Sequence, residues 1–312
     1  MTWKPDILGK EFEYTLVNQG RDYSGDVRCA VVRRLAPEAK RAVVYVHGFS
    51  DYFFQKDMAE EFVGHGYSFY AVDLRKYGRA LLSGQRMFEV RDMREYFPDI
   101  QAAIDIAKAD GYGELILIGH STGGLSTSYY METEPDPAVK ALILNSPFLA
   151  WNLPALMRKA IVPAVSFIGR FLPNIPVKSG GTIDYTRSLS RRLGGEWDFD
   201  SRWKPDIMPD VDAGWIHAID SAQRALAKGK VRVPLLLLHS DRSARPGDSA
   251  DKFAVSDGVL DVNLIAQAGR RLGDNVTEIT IPEGLHDLVL SRPAVRAQVY
   301  HAIFNWLKET RV

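Results

Sequence analysis

Leu115-Ile116-Leu117-Ile118-Gly119-His120-Ser121-Thr122-Gly123-Gly124 is the stretch on which the reading of the fold turns. Four long or branched apolar residues run straight into Gly-x-Ser-x-Gly. An unbroken apolar run of this kind predicts a strand buried on both faces, as in a parallel sheet. Ser121 at its end, with glycine two residues to either side, predicts a sharp strand-to-helix turn that strains the serine backbone. Large side chains two positions away would clash in such a turn. Gly124 to Glu132 reads as the helix that follows, with its N-terminus aimed at Ser121. The free N–H of Thr122 then lies where a negatively charged oxygen would form. The pentapeptide alone is a common chance pattern. Strand, turn and helix together make Ser121 a candidate nucleophile rather than a serine that only caps a helix.

Outward from this stretch the same rhythm repeats. Ala42–Val46 is a buried strand leading directly into His47-Gly48-Phe49, and Gln55–His65 reads as a helix closing at Gly66. Tyr67–Val72, Lys140–Leu144, Leu235–Leu238 and Val276–Ile281 are further strands, with helices expected over Val90–Ala109, Asn263–Leu272 and Ala294–Arg311. Glu11–Val17 and Asp26–Arg34 alternate apolar and polar residues and predict an antiparallel hairpin at a sheet edge. The rhythm breaks after Pro147. Residues 148–172 are apolar and aromatic, residues 173–214 are polar and rich in Pro, Gly, Trp and charge, and Trp215–Lys228 is helical again. The expected architecture is α/β: a mostly parallel central sheet with helices on both faces, formed by residues 1–147 and 231–312. Residues 148–230 are then an inserted cap over the carboxyl ends of the strands, where such sheets bind ligands.

Composition narrows the function classes. Of the 312 residues 46% are hydrophobic and 25% charged, which is ample for a core. Lys plus Arg equals Asp plus Glu at 39 each, and no basic stripe marks a nucleic-acid footprint. Cys29 is the sole cysteine, so no internal disulfide can form and neither a structural zinc site nor another metal is expected. The N-terminal residues lack a signal-peptide core, and no run approaches the ~20 apolar residues that span a bilayer. A cytoplasmic protein without metal or organic cofactor is expected.

A serine hydroxyl needs a positioned base. His286, in Gly284-Leu285-His286-Asp287-Leu288 after the last strand, falls on the same sheet edge as Ser121. His239 at a strand end is a distant second. The base in turn needs an acid. Asp241 follows its strand immediately, whereas Asp257 precedes His286 by roughly the 30 residues that one helix and one strand with their loops require. Asp257 is favoured, with Asp241 and Asp261 as alternatives. The loop His47-Gly48-Phe49 supplies a second backbone donor, so the N–H groups of Phe49 and Thr122 are the expected oxyanion hole.

The order Ser, Asp, His, the His-Gly loop and Gly119-His120-Ser121-Thr122-Gly123 resemble the α/β-hydrolase fold. Within it the chain is similar to the monoacylglycerol lipase and lysophospholipase-like branch, which shares sequence with serine aminopeptidases. Asp257-Gly258-Val259-Leu260-Asp261 resembles the acid-bearing segment of that branch. Lys76 and Ala80 stand where that branch often has glycine and serine. The resemblance implies a serine hydrolase acting on a small acyl ester such as a monoacylglycerol or lysophospholipid through an acyl-enzyme; the apolar 148–172 run reads either as a lining for the acyl chain or as side chains that pack the cap onto the core. Amide, peptide or carbon–carbon bond cleavage is the alternative, and a non-catalytic binding protein the least favoured. A peptidase holding a free amine would want carboxylates in the cap, where Glu196, Asp198, Asp200, Asp206, Asp210 and Asp212 lie.

Overall fold

The computed structural model describes residues 1–312. Three strands come first, β1 (Lys4–Asp6), β2 (Gly9–Asp22) and β3 (Gly25–Arg34). Strands and helices then alternate through β4 (Arg41–Val46), α1 (Lys56–Gly64), β5 (Tyr67–Asp73), α2 (Phe97–Ala109), β6 (Leu115–His120), α3 (Thr122–Thr133) and β7 (Val139–Asn145). Between β7 and β10 the chain carries α4 (Val162–Gly169), β8 (Pro176–Val177), α5 (Asp184–Leu189), β9 (Val211–Asp212) and α6 (Ala213–Leu226), the segment expected as an insertion. The chain ends with β10 (Leu235–Ser240), α7 (Ala250–Phe253), α8 (Val262–Gly269), β11 (Val276–Ile281) and α9 (Pro293–Thr310).

Nine strands form one sheet in the order β1-β2-β3-β5-β4-β6-β7-β10-β11. The pairs β1/β2, β2/β3 and β3/β5 are antiparallel, and every other neighbour is parallel. This is the α/β-hydrolase architecture. The apolar runs of the parallel strands serve both faces, as a side-chain period of two demands. Val44, Leu117, Leu144 and Leu237 face one core with Ile100, Ile104, Leu125 and Ile219 from α2, α3 and α6. Val43, Ile116, Ile143 and Leu238 face the other with Phe62 of α1 and Val299, Ile303 and Trp306 of α9. No helix is long and apolar enough to cross a membrane.

Two expectations change. The helix predicted over 90–109 begins only at Phe97. Before it, Asp92 accepts the Arg94 N–H at 2.9 Å and Glu95 accepts the Asp92 N–H at 3.0 Å, a capping box on a short 3₁₀ turn at Met93–Tyr96. Pro98 then sits in the first turn of α2, where its missing N–H costs nothing. Lys76 replaces a glycine of the resembling branch at φ 65°, in the left-handed region that favours glycine. Its buried ammonium, 2.8 Å from Asp22, ties this turn to the β2–β3 hairpin.

The second change concerns the apolar run 148–172. Helix α4 buries Val162, Ser166 and Gly169, and Gly169 lies against the Ala213 backbone at the start of α6. Small residues at this spacing allow close approach of the two helices. The larger Phe167, Ile168, Phe171 and Leu172 therefore point outward, with Phe167 66% and Phe171 63% exposed. They do not line the interior as expected.

Candidate active site

Strands β4, β6, β10 and β11 run parallel, so the loops after them meet at one edge of the sheet. Ser121 follows β6 with φ 52° and ψ −117°, outside the ordinary regions for a side-chain-bearing residue. Such a backbone costs of order 1–3 kcal/mol and persists only when its surroundings enforce it. They do so here. A methyl group on Gly123 would run into the carbonyl oxygens of Val46 and His47, and one on Gly119 into the Gly123 carbonyl and Thr127. The expected turn is present, and Ser121 is 8% exposed.

The His47-Gly48-Phe49 loop passes directly beside it. A Cβ on Gly48 would lie 3.0 Å from the Ser121 Cβ. Leu74 N–H donates to His47 Nε2 at 3.1 Å, which leaves the proton on Nδ1, and Nδ1–H donates to the Gly48 carbonyl at 2.8 Å. In a trans peptide the N–H opposes the C=O, so the Phe49 N–H points away from that ring. Thr122 opens α3, where the first N–H groups have no partner inside the helix.

His286 Nδ1 and Asp257 Oδ2 are 2.9 Å apart, both buried. The other Asp257 oxygen accepts the N–H groups of Val259 and Leu260, each at 2.8 Å. The Asp257 N–H donates to the Arg242 carbonyl and the Ala244 N–H to the Asp257 carbonyl, so this residue is pinned beside the end of β10. Residues 245–256 are looped out between these contacts. Asp241 instead pairs with Arg242 and accepts the Glu283 N–H at 2.9 Å. Asp261 caps α8. His239 bonds the Ser240 carbonyl and faces Glu278. Of the three acids considered from sequence, Asp257 is the one placed on His286.

Residues not anticipated surround this pair. The His286 ring lies 5.0 Å from the His120 ring and 5.7 Å, edge-on, from that of Tyr185 in α5. Asp287, the residue after His286, is buried. It accepts Asn145 Nδ2 at 2.7 Å and Gln55 Nε2 at 3.0 Å, and its N–H donates to the Tyr185 hydroxyl at 3.2 Å. Burial pushes the Asp287 carboxyl up, and the two amide donors oppose that shift. Burial, reinforced by the neighbouring His286, holds His120 well below the ordinary 6.5, so its imidazole is neutral. The His120 Nδ1 lies 3.9 Å from oxygens of both Asp51 and Asp287. These three residues could present ligand atoms to a metal. One of their carboxylates, however, already has a cation: Lys204 of the inserted segment reaches Asp51 at 3.1 Å, where the two residues are 8% and 1% exposed.

Lys204 thereby fastens the insertion to the loop that carries Phe49. Replacing it with methionine leaves a buried carboxylate without its counter-charge, which costs about 3–5 kcal/mol. The loss is expected in urea unfolding of Lys204→Met at pH 7, with much of it recovered in the Lys204→Met/Asp51→Asn double variant. Equal losses in the single and double variants would show that the pair is not coupled.

The acids of the insertion are also engaged. Asp198 pairs with Arg191, Asp200 with Arg202, Asp206 with Arg192, Asp212 with Arg86 and Glu196 with Arg296, while Asp210 accepts the Ser179 N–H. They form no open carboxylate cluster for a free amine.

Residues 37–292 match the family model described as serine aminopeptidase, S33. The chain belongs to this family. Among curated relatives of this S33 member, phospholipase YtpA of Bacillus subtilis (strain 168) is 29% identical over 143 residues, covering 46% of this chain and 53% of the relative. The bifunctional esterase/perhydrolase DCH of Acinetobacter calcoaceticus is 30% identical over 201 residues, covering 58% and 66%. The chain thus spans about half to two thirds of the length of these relatives. A soluble variant of monoglyceride lipase from Saccharomyces cerevisiae superposes with a TM-score of 0.69 at 18% identity, covering 94% of each chain. The monoacylglycerol lipase of Paleococcus ferrophilus gives 0.63 at 18% identity, covering 95% and 99%. At this identity the likeness establishes the fold. The resemblance to this family read from the motifs is borne out.

Proposed function

We propose that this chain is a serine hydrolase that cleaves a carboxylic ester of small molecular size through an acyl-enzyme. Ser121 attacks the acyl carbonyl while His286 takes its proton. Asp257 holds the imidazole with its proton on Nδ1 and supports the imidazolium. The N–H groups of Phe49 and Thr122 bind the oxyanion, fixed before charge develops. His286 then protonates the leaving alcohol, and water repeats the cycle to release the acid. Residues 148–230 act as a cap over this edge of the sheet. The observation that carries the reading is the 2.9 Å contact of His286 with Asp257, with the His286 ring 5.0 Å from that of His120, the residue preceding a serine held at positive φ.

Phospholipase and esterase/perhydrolase are the activities named for the two curated relatives, which favours esters. The paired acids of the insertion argue against recognition of a peptide's free amine. No cofactor enters this chemistry, and the even balance of charge offers nothing to nucleic acid. The sole cysteine, Cys29, fits a reducing compartment such as the cytoplasm.

The test is hydrolysis of p-nitrophenyl esters of graded chain length, with covalent labelling by a fluorophosphonate probe alongside. The wild type is expected to be labelled at Ser121 and to turn over at least one ester, and Ser121→Ala to lose both. Absence of labelling would overturn the proposal.

A further inference from the structure

A cavity of about 650 Å³ lies between residues 152–208 and residues 244–264 and meets the candidate site at Phe49, Tyr185 and Gly258. Its wall mixes polar and apolar groups. Only 9 of its 24 lining residues are hydrophobic, because the bulky side chains of 156–172 face outward. The charged side chains on the wall are Arg158, Lys204, Arg245 and Asp261. Lys204 is neutralised by Asp51, and Asp261 Oδ1 is taken up by the Asn263 and Leu264 N–H groups. Asp248, which accepts the Arg245 backbone N–H, pairs with Lys252 at 2.8 Å.

Two cations remain. Arg158, half-buried, and Arg245, exposed, form no ion pair. A planar guanidinium left free on a polar cavity wall is matched by a planar or tetrahedral oxyanion, which accepts two of its N–H groups at once.

We propose that this cavity receives an anionic group of the substrate, a carboxylate or a phosphate ester, at Arg158 with Arg245 beside it. The proposal rests on the ester hydrolase reading and specifies its substrate. Because the wall reaches the site at Phe49, the anion belongs to the part of the ester remote from the scissile bond. The charge there attracts the correct substrate and rejects neutral lipids of the same length.

The experiment compares matched esters with wild-type protein. One arm sets the mono-p-nitrophenyl ester of glutaric acid against p-nitrophenyl pentanoate, which places the charge on the acyl side. The other sets a short-chain acylglycerol phosphate against the same acylglycerol, which places it on the alcohol side. In at least one arm the anionic ester should have a kcat/KM tenfold or more above its neutral partner, carried by KM and eroded by 0.5 M NaCl. The arm that gains identifies carboxylate or phosphate. Arg158→Gln should raise KM for that ester about tenfold with kcat held, and Arg158→Lys should recover part of the loss. Neutral esters preferred in both arms, or a preference that survives Arg158→Gln, would overturn the proposal while Ser121 still labels. Loss of Ser121 labelling in the wild type would overturn the hydrolase reading, and this proposal with it.

Discussion

Asp257→Asn should lower kcat for ester hydrolysis by about 10⁴-fold, whereas Asp241→Asn should leave it within a few-fold of wild type. The difference follows from where each carboxylate is held. Asp257 is fully buried, with one oxygen on His286 and the other on two backbone N–H groups. An asparagine there keeps the shape, but its amide can present N–H₂ to Nδ1 and select the imidazole tautomer whose Nε2 carries the proton. That tautomer cannot accept the serine proton. The side chain of Asp241 is instead engaged by Arg242 and Glu283 on the outer side of the loop, away from the imidazole. Its removal loosens a surface pair and leaves the base untouched. Steady-state kinetics of both variants on one p-nitrophenyl ester decide the matter. A large loss in Asp241→Asn with Asp257→Asn active would reverse the assignment.

The same two residues explain what could be read from the sequence and what could not. Ser121, His286 and the His47-Gly48-Phe49 loop each follow their strand within a few residues, so strand prediction alone carries them to one edge of the sheet. Asp257 does not. Its place beside β10 depends on backbone bonds to Arg242 and Ala244 that close across a looped-out segment, and a linear count could only favour it over Asp241. The cluster of Asp51, Gln55, His120, Asn145, Tyr185, Lys204 and Asp287 was still less legible. Its hydrogen bonds join residues 102 to 232 positions apart, and a polar residue destined for burial has no local signature. The orientation of 148–172 failed for a different reason. Hydropathy marks the run as apolar, but the small face of α4 is what packs, and that is a property of helix α6 as much as of α4.

Gly123→Ala should destabilise the protein by about 2 kcal/mol or more, and lower kcat at least tenfold in whatever remains folded. Two effects oppose each other at this position. Gly123 lies in α3 at an ordinary helical φ, where alanine gains up to about 1 kcal/mol in propensity. Against this, the added methyl meets the carbonyl oxygens of Val46 and His47. Both are backbone atoms at the end of a strand hydrogen-bonded on either side, so no side-chain rotation relieves the clash. The clash wins, and relief comes only by moving α3 from β4. That movement separates the Thr122 N–H from the loop that carries Phe49 and so draws apart the two proposed oxyanion donors. Gly64→Ala is the matching control. It lies near the end of α1 with nothing within 4 Å of the new methyl, and should be neutral or stabilising by a few tenths of a kcal/mol. Thermal unfolding and ester kinetics on the pair separate helix propensity from the tightness of the turn. A Gly123→Ala protein that melts and turns over like Gly64→Ala would mean that β4 and the nucleophile turn are not packed against each other, and the paired backbone donors would lose their physical basis.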